Sequence, residues 1–566
     1  MKKKVFALLL CGLPLMINAQ DAFDVLHMSQ TELRGTSRFQ SMAGAFGALG
    51  GDLSVLTQNP GGIGVYRSSD LGITLSLDFN NTKAGVDKMN QTNFNVNNVG
   101  YIGAIRLDNE TLPNLNFGFS YNRLHSYNRH YVGGVADIPT SMSNFVADEF
   151  VNVRGLNVED LLYGEGFNPY FDGYDGHAPW AAVTMFEMRT RTNGYVGIIN
   201  DRGDGMMQGL FGEGTWGDGY YEVEERGHAD EYNIAFGGNF ADKVYWGLDF
   251  GILDLDFTSF QAYEEELENP YIKLDDKDLL YGDISNDHTS ADWGIYNFLH
   301  TKGTGVNFKL GLIWRPNQFL RVGAAFHTPT YYDMRDTYRV STSLKGYQYS
   351  NLLYNASKES NDGYNYSGSY TISTPWRFMG SLAGVIGTRG IVSFDYEYVA
   401  NQTMRIGDDR GNNYPDVTDN VKNFFQPSHI IRIGGEYRVT PNFSLRAGYS
   451  YKTSQVKKGV DDYSFSDVDP LFIDGAEKNY EIPTVTTNPA YQYDNTVQNI
   501  TCGLGYRHKA FYADLAYVHK MRNSVYNAFS NVLVTDAHDI VYEALNVGAD
   551  VKDRNNSVSL TLGVRF

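Results

Sequence analysis

From Asn556 to Phe566 apolar side chains (Val558, Leu560, Leu562, Val564, Phe566) alternate with polar or small ones (Ser557, Ser559, Thr561, Gly563, Arg565), and the chain stops on the aromatic. A period of two over about 9 to 11 residues is what a bilayer-crossing strand needs, because only its outward face meets lipid. The pattern recurs. It predicts strands at Leu71 to Asn80, Val99 to Leu107, Asn114 to Arg123, His228 to Asn239, Val244 to Phe257, Thr304 to Arg315, Phe319 to His327, Tyr370 to Ile386, Gly390 to Gln402, His429 to Arg438, Phe443 to Lys452, Asn499 to Arg507, Phe511 to Lys520 and the final segment. That is an all-β chain with about fourteen strands, an even number as in single-chain bacterial barrels.

The connections carry separate information. Short turns (Ala241-Asp242, Pro316-Asn317, Gly387 to Arg389, Thr440 to Asn442, His508 to Ala510) alternate with long polar loops, the parity that separates periplasmic turns from external loops in outer-membrane barrels. Starting upward at Leu71, it puts every long loop outside and both termini in the periplasm. The longest loop, Leu124 to Gly227, is too long to be structureless and is expected to form a cap with a short helix near Ser141 to Asn152.

Residues before the first strand do not alternate. Gln20 to Asp70 is rich in small residues, notably Ser41 to Gly51, too short for a core of its own and too apolar for a free tail. It reads as a hatch packed inside the barrel or as a periplasmic appendage. The chain opens with Lys2, Lys3 and Lys4, an apolar run from Val5 to Ile17 and Asn18-Ala19, the pattern of an export signal cleaved after Ala19. Cys11 follows the bulky Leu10, where a lipoprotein signal wants a small residue. The expected organisation is therefore signal 1–19, hatch 20–70 and barrel 71–566, with the cap inserted at about 124–227.

Composition fits an exported barrel. Losing residues 1–19 removes three lysines and no acids, taking the formal charge from -20 to -23; such a balance argues against nucleic acid as a partner. Only Cys502 would remain, so no internal disulfide is available. Mean hydropathy is -0.36, and no stretch beyond the signal approaches the roughly 18 apolar residues of a membrane helix. The 41 Tyr and 33 Phe suit interfacial girdles and polar loops.

With these residues in place the chain resembles the outer-membrane long-chain fatty-acid transporter (FadL-like) family, which also holds aromatic-hydrocarbon channels and members called hemin receptors. Gly35 to Phe39 and SMAGAFGALGGDLSVLTQNPGGIGVYRSS (Ser41 to Ser69) match that family's hatch, with Asn59-Pro60-Gly61 where members usually carry Asn-Pro-Ala. Weaker similarity runs through Leu310 to Pro329, Ile430 to Tyr451 and Cys502 to Tyr517. The departures are Gly61 and the enlarged loops. The resemblance implies passive uptake: a hydrophobic molecule enters a barrel pocket and leaves sideways where the third strand kinks beside the hatch. Here that implies a gate of Asn59, Pro60, Gly61 and Gly118, although Gly118 reads equally as a packing glycine.

Other chemistry is thin. Gly212 to Gly217 fits a dinucleotide pattern without its strand and helix, and there is no Cys-x-x-Cys, His-Glu-x-x-His or Gly-x-Ser-x-Gly, so no enzyme, metal site or cofactor is read. Asp201/Asp204 and Asp408/Asp409 read as solvated loop charge rather than calcium ligands. Histidines 125, 130, 177, 228, 288 and 300, the haem-ligand candidates, fall in or near external segments. Alternation points Lys309, Arg321, Asp395, Glu397, Arg432, Glu436, Arg446, Asp514 and Arg565 inward, where salt-bridge ladders are expected. Arg321, Arg432 and Arg446 are the candidates to hold a ligand carboxylate instead.

Three functions stay open: a passive channel for long-chain fatty-acid-like or aromatic compounds, with the bilayer and a hydrophobic ligand as partners; a non-transporting scaffold or shuttle of a protein-secretion system, partnered by other outer-membrane proteins; and hemin uptake. A TonB-dependent receptor, with its larger plug and roughly 22 strands, fits poorly.

Overall fold

The computed structural model describes residues 22–107, 109–152, 156–170, 179–188, 197–201, 206–273, 279–280, 289–348, 350–458, 489–529, 532–535, 541–544 and 547–566. The expected export signal lies outside them.

Fourteen antiparallel strands, each paired with the next, close into a barrel: β1 (Asp70–Ala84), β2 (Asp87–Arg106), β3 (Asn114–Ser126), β4 (Trp216–Phe240), β5 (Val244–Glu268), β6 (Thr289–Trp314), β7 (Leu320–His327), β8 (Trp376–Ile386), β9 (Gly390–Ala400), β10 (Ser428–Arg438), β11 (Phe443–Lys452), β12 (Tyr491–His508), β13 (Phe511–Asn527) and β14 (Gly548–Arg565). β14 pairs with β1, so no edge is left. The physical cause is the one the alternation announces. Leu71, Ile73, Leu77 and Phe79 of β1 and Val558, Leu560 and Leu562 of β14 are exposed on the outer face, whereas Thr74, Ser76, Asp78, Ser559 and Thr561 are buried inside.

All the expected strands are present, but several run further toward the long-loop end. β4 and β5 have 25 residues each and β6 has 26. Beyond the lipid belt the outer face turns polar (Glu264, Glu266) while the inner face carries buried apolar residues (Tyr263, Leu267, Trp293), so the alternation that marks a lipid-facing strand reverses while the backbone ladder continues. Asn81 to Asn98, expected as a long loop, is such an extension, closed by the two-residue turn Gly85-Val86 with Gly85 at φ +57. Strict alternation of short and long connections therefore fails at the first hairpin. The expected single strand Tyr370 to Ile386 is broken at Thr374-Pro375 into Tyr366–Ser373 and β8, because proline has no N–H to give a ladder. β7 likewise stops before Thr328-Pro329-Thr330, and Tyr331–Gln348 resumes the strand.

Three apolar layers are stacked inside. At the short-turn end, Phe39, Phe46, Leu53, Leu56 and Ile63 from the N-terminal segment form one core with Ile102, Ala235 and Ala383 of the wall. Above it, Phe23, Val25 and Leu26 of α1 (Ala22–Met28) pack against Phe257, Tyr332, Phe425 and Tyr491. The third layer closes the long-loop end, where Phe145, Trp180 and Phe186 from short helices of the expected cap meet Tyr263, Trp293 and Tyr526. The helix expected near Ser141 to Asn152 is there, as Met142–Phe145 continuing into Val146–Asn152.

Beyond the last paired residue, Phe566 and Ser69 exchange two backbone hydrogen bonds of 3.0 and 2.9 Å. Deleting Phe566 should therefore lower the yield of closed barrel several-fold, read as the band that migrates faster before boiling than after. An unchanged yield would show that closure does not use this residue.

Candidate functional site: the plugged lumen

The N-terminal segment holds its shape through caps written into its sequence. Thr36 accepts from Phe39 N at 3.1 Å and starts α2 (Ser37–Ser41); Asp52 accepts from Ser54 N at 3.0 Å; Asn59 accepts from Gly61 N at 3.0 Å, with Pro60 in the first position of the 3-10 turn Pro60–Val65. Each cap begins one short turn, so the chain folds back repeatedly within the lumen.

What seats this plug is a set of wall glycines. A Cβ at Gly247 would overlap the Pro60 carbonyl, at Gly311 the Asn59 side chain and Gly61 N, at Gly323 the Gly47 carbonyl, and at Gly434 and Gly448 the backbone around Met42. Backbone lies against backbone there, which only glycine allows. Polar wall groups then bind the exposed plug backbone: Asp395 accepts from Gly47 N at 2.9 Å, Asn116 Nδ2 donates to Ile63 O at 2.6 Å, Arg321 Nη1 donates to Leu49 O at 2.7 Å, and Thr501 Oγ1 donates to Ser41 O at 3.0 Å.

The residues singled out from the sequence divide clearly. Asn59 is buried and donates to Gly47 O at 2.5 Å and to Leu312 O at 3.2 Å, so Asn59-Pro60-Gly61 rests on β5 and β6. Gly118 on β3 instead faces Ile63 and Leu56 further along the plug. It pairs in regular register with Ile102 and Ala235; the irregularity of β3 lies between Arg123 and His125. No register shift falls at Gly118, which lies against Ile63 and Leu56 of the plug. Arg446 bonds Glu436 and Asp514, both at 2.6 Å, and Arg432 bonds Glu397 at 2.6 Å, while Arg321 serves the Leu49 carbonyl. Arg432 lines the lumen cavity, whereas Arg321 and Arg446 are not among its lining residues, and Arg446 is paired with two carboxylates. Glu436 also binds Arg38 of the plug at 2.9 Å, a partner that alternation cannot supply because the plug has no period.

Between plug and α1 layer lies a cavity of about 180 Å³. Its lining mixes apolar groups (Met28, Leu253, Tyr332) with ionic ones (Arg34, Glu231, Lys309). The ionic ones are largely paired: Lys309 with Glu231 at 2.6 Å and Asp249 at 3.0 Å, Arg34 with Asp78 at 3.0 Å, Arg377 with Glu397 at 3.2 Å, and Lys520 with Glu32. His125, expected in a polar loop, is instead buried on the cavity wall, since β3 continues past Arg123. His130, His228 and His300 lie beside Glu222, Asp230 and Asp256 at 2.8, 3.5 and 3.2 Å. The cavity is below the roughly 300 to 1,000 Å³ of pockets for larger ligands, so no porphyrin fits it as it stands. His177, His288 and Asp204 lie outside the described residues. Asp408 accepts from the backbone of Arg410 and Asn412, each at 2.8 Å, and so ties its own loop. Among the described residues no cluster of His, Cys, Asp and Glu could hold a metal.

The chain is similar in fold to solved structures of a FadL homologue from Pseudomonas aeruginosa (12% identity, covering 95% of this chain and 99% of that one, TM-score 0.44), the toluene transporter TodX of P. putida (11%, 94% and 99%, 0.41) and the toluene transporter TbuX of Ralstonia pickettii (12%, 94% and 99%, 0.41). No curated protein matches it. Residues 226–477 match the family described as outer membrane protein transport protein (OMPP1/FadL/TodX). The chain is thus a closed fourteen-strand β-barrel of which residues 226–477, somewhat less than half, match this outer-membrane transport family.

Proposed function

We propose that the protein is a passive channel that admits small hydrophobic molecules across the outer membrane and releases them sideways into the bilayer, with its long loops outside the cell and both termini in the periplasm. The observation that carries this reading is the lumen cavity, placed between two packed apolar layers in a barrel with a transport-family sequence. Packed apolar layers of the plug and of α1 flank the cavity on its two axial sides, which supports release of a guest through the wall. Most cations on its lining are held by carboxylates and Lys452 by the Gln30 side chain, so they are engaged before an uncharged guest arrives. A volume near 180 Å³ compares with the about 150 Å³ cavity that accepts a benzene ring, which favours compounds of one-ring size over long acyl chains.

Cells making the protein should take up labelled toluene several-fold faster than matched cells lacking it. Equal rates with the barrel inserted would refute transport. They would favour the second reading, a non-transporting scaffold for other outer-membrane proteins, which the nearly filled lumen and packed cap support.

A further inference from the structure

Resting on the channel reading, we propose that the cavity opens to the bilayer between β7 and β8, where Pro329 and Pro375 face each other across the wall. The pairing of these strands runs from Leu320 with Gly384 to His327 with Arg377 and resumes in the same register from Tyr331 with Ser373. That register sets Pro329 opposite Pro375. Neither has an N–H, so at one level of the wall two facing ladder donors are missing.

Threonines fill the breach. Thr330 N donates to Thr374 Oγ1 at 2.8 Å, and Thr374 N returns a bond to Thr330 O at 3.0 Å. On the flank toward β6, Phe308 N donates to Thr328 Oγ1 at 3.0 Å, and Thr328 N to Phe308 O at 3.0 Å. The inward face also changes parity here: Gly323, Ala325 and His327 point to the lumen below the breach, Tyr332 and Met334 above it. With two donors absent and a rotatable hydroxyl in place of one backbone carbonyl, this level of the ladder parts more readily than a regular pair.

Position completes the argument. Thr328, Thr330, Thr374 and Pro375 line the lumen cavity, so the breach is the cavity's own wall. On the outer side Phe326 lies against Trp376 and Phe378, both with ring centroids 5.3 Å apart, an aromatic surface at the outer rim of the apolar belt, where one-ring guests partition well. Gly118 on β3 offers no comparable gap.

The test is a pair of cross-links in a Cys502→Ser background: Thr330→Cys with Thr374→Cys across the breach, and Gly118→Cys with Ala235→Cys between β3 and β4. Both barrels are checked for heat-modifiable migration and for disulfide formation, and labelled toluene uptake is measured before and after reduction. The breach lock should lower uptake at least fivefold, reversibly, while the β3 lock leaves it unchanged. Thr374→Val, which removes the hydroxyl acceptor, should raise uptake. Parental uptake through a locked breach, or loss only with the β3 lock, overturns the portal and leaves the channel standing. Uptake by the parental protein no faster than by cells without it overturns channel and portal together.

Discussion

Lys309→Met is expected to destabilise the barrel by about 3 to 5 kcal/mol, because it leaves buried carboxylates without their cation. Lys309 is 3% exposed and joins three strands, reaching Glu231 on β4 and Asp249 on β5 from β6. Asn307 and Asn233 then add bonds to the same carboxylates at 2.9 and 2.8 Å. Methionine keeps the volume and removes the charge. The measurement is the denaturant midpoint of the detergent-folded barrel. The triple variant Lys309→Met, Glu231→Gln, Asp249→Asn should recover much of the loss, since the penalty comes from unpaired charge rather than from a cavity. A loss under about 1 kcal/mol in the single variant, the value of an exposed pair, would mean that cavity water hydrates the carboxylates and that this layer does not hold the wall together.

That same triad shows how far alternation carries. Lys309 was legible as inward-facing because Phe308 and Leu310 beside it must face lipid, and the pairing of Glu436 with Arg446 followed from adjacent strands. The residues that meet the plug were not legible in this way. Arg38 reaching Glu436, or Arg321 serving Leu49 O, depends on a segment whose path is set by caps and close packing rather than by a period. The strand ends were lost for a related reason: above the belt the outer face meets water and the inner face packs on the third apolar layer, so the alternation that marks a lipid-facing strand reverses. Pro375 stood inside an expected strand and Pro329 just past another, yet their meeting is a matter of register, and register across a long loop cannot be counted from hydropathy. Gly118 drew attention as a strand glycine, but one glycine in a strand says nothing about which strand opens. The glycines at the same height on several strands were a signal within reach: Gly311, Gly323, Gly434 and Gly448 all fall where alternation points inward, and a row of absent side chains inside a barrel implies a backbone lying against it.

That row supports the second large prediction, that Gly247→Leu with Gly311→Leu unseats the plug without harming the barrel. Both positions point into the lumen, so the strand ladder and lipid face are untouched. A Cβ at either overlaps plug backbone or the Asn59 amide, and a leucine side chain behind it has no free space to enter. The wall is a continuous hydrogen-bonded ring, whereas the plug is held to it by side-chain hydrogen bonds, ion pairs and one apolar layer without a backbone ladder, so the plug is what should move. In planar bilayers the double variant should show ion conductance at least tenfold above the parental protein, and cells carrying it should become sensitive to a large hydrophilic antibiotic. Gly380→Leu is the control, because nothing lies within 4 Å of a Cβ there; it should insert and stay closed. A double variant that inserts, migrates as a folded barrel and conducts no more than the parent would show that the plug is not seated by the glycine row. If conductance rises, the parental lumen is sealed along its axis by this segment, and the remaining path from cavity to membrane is the wall itself.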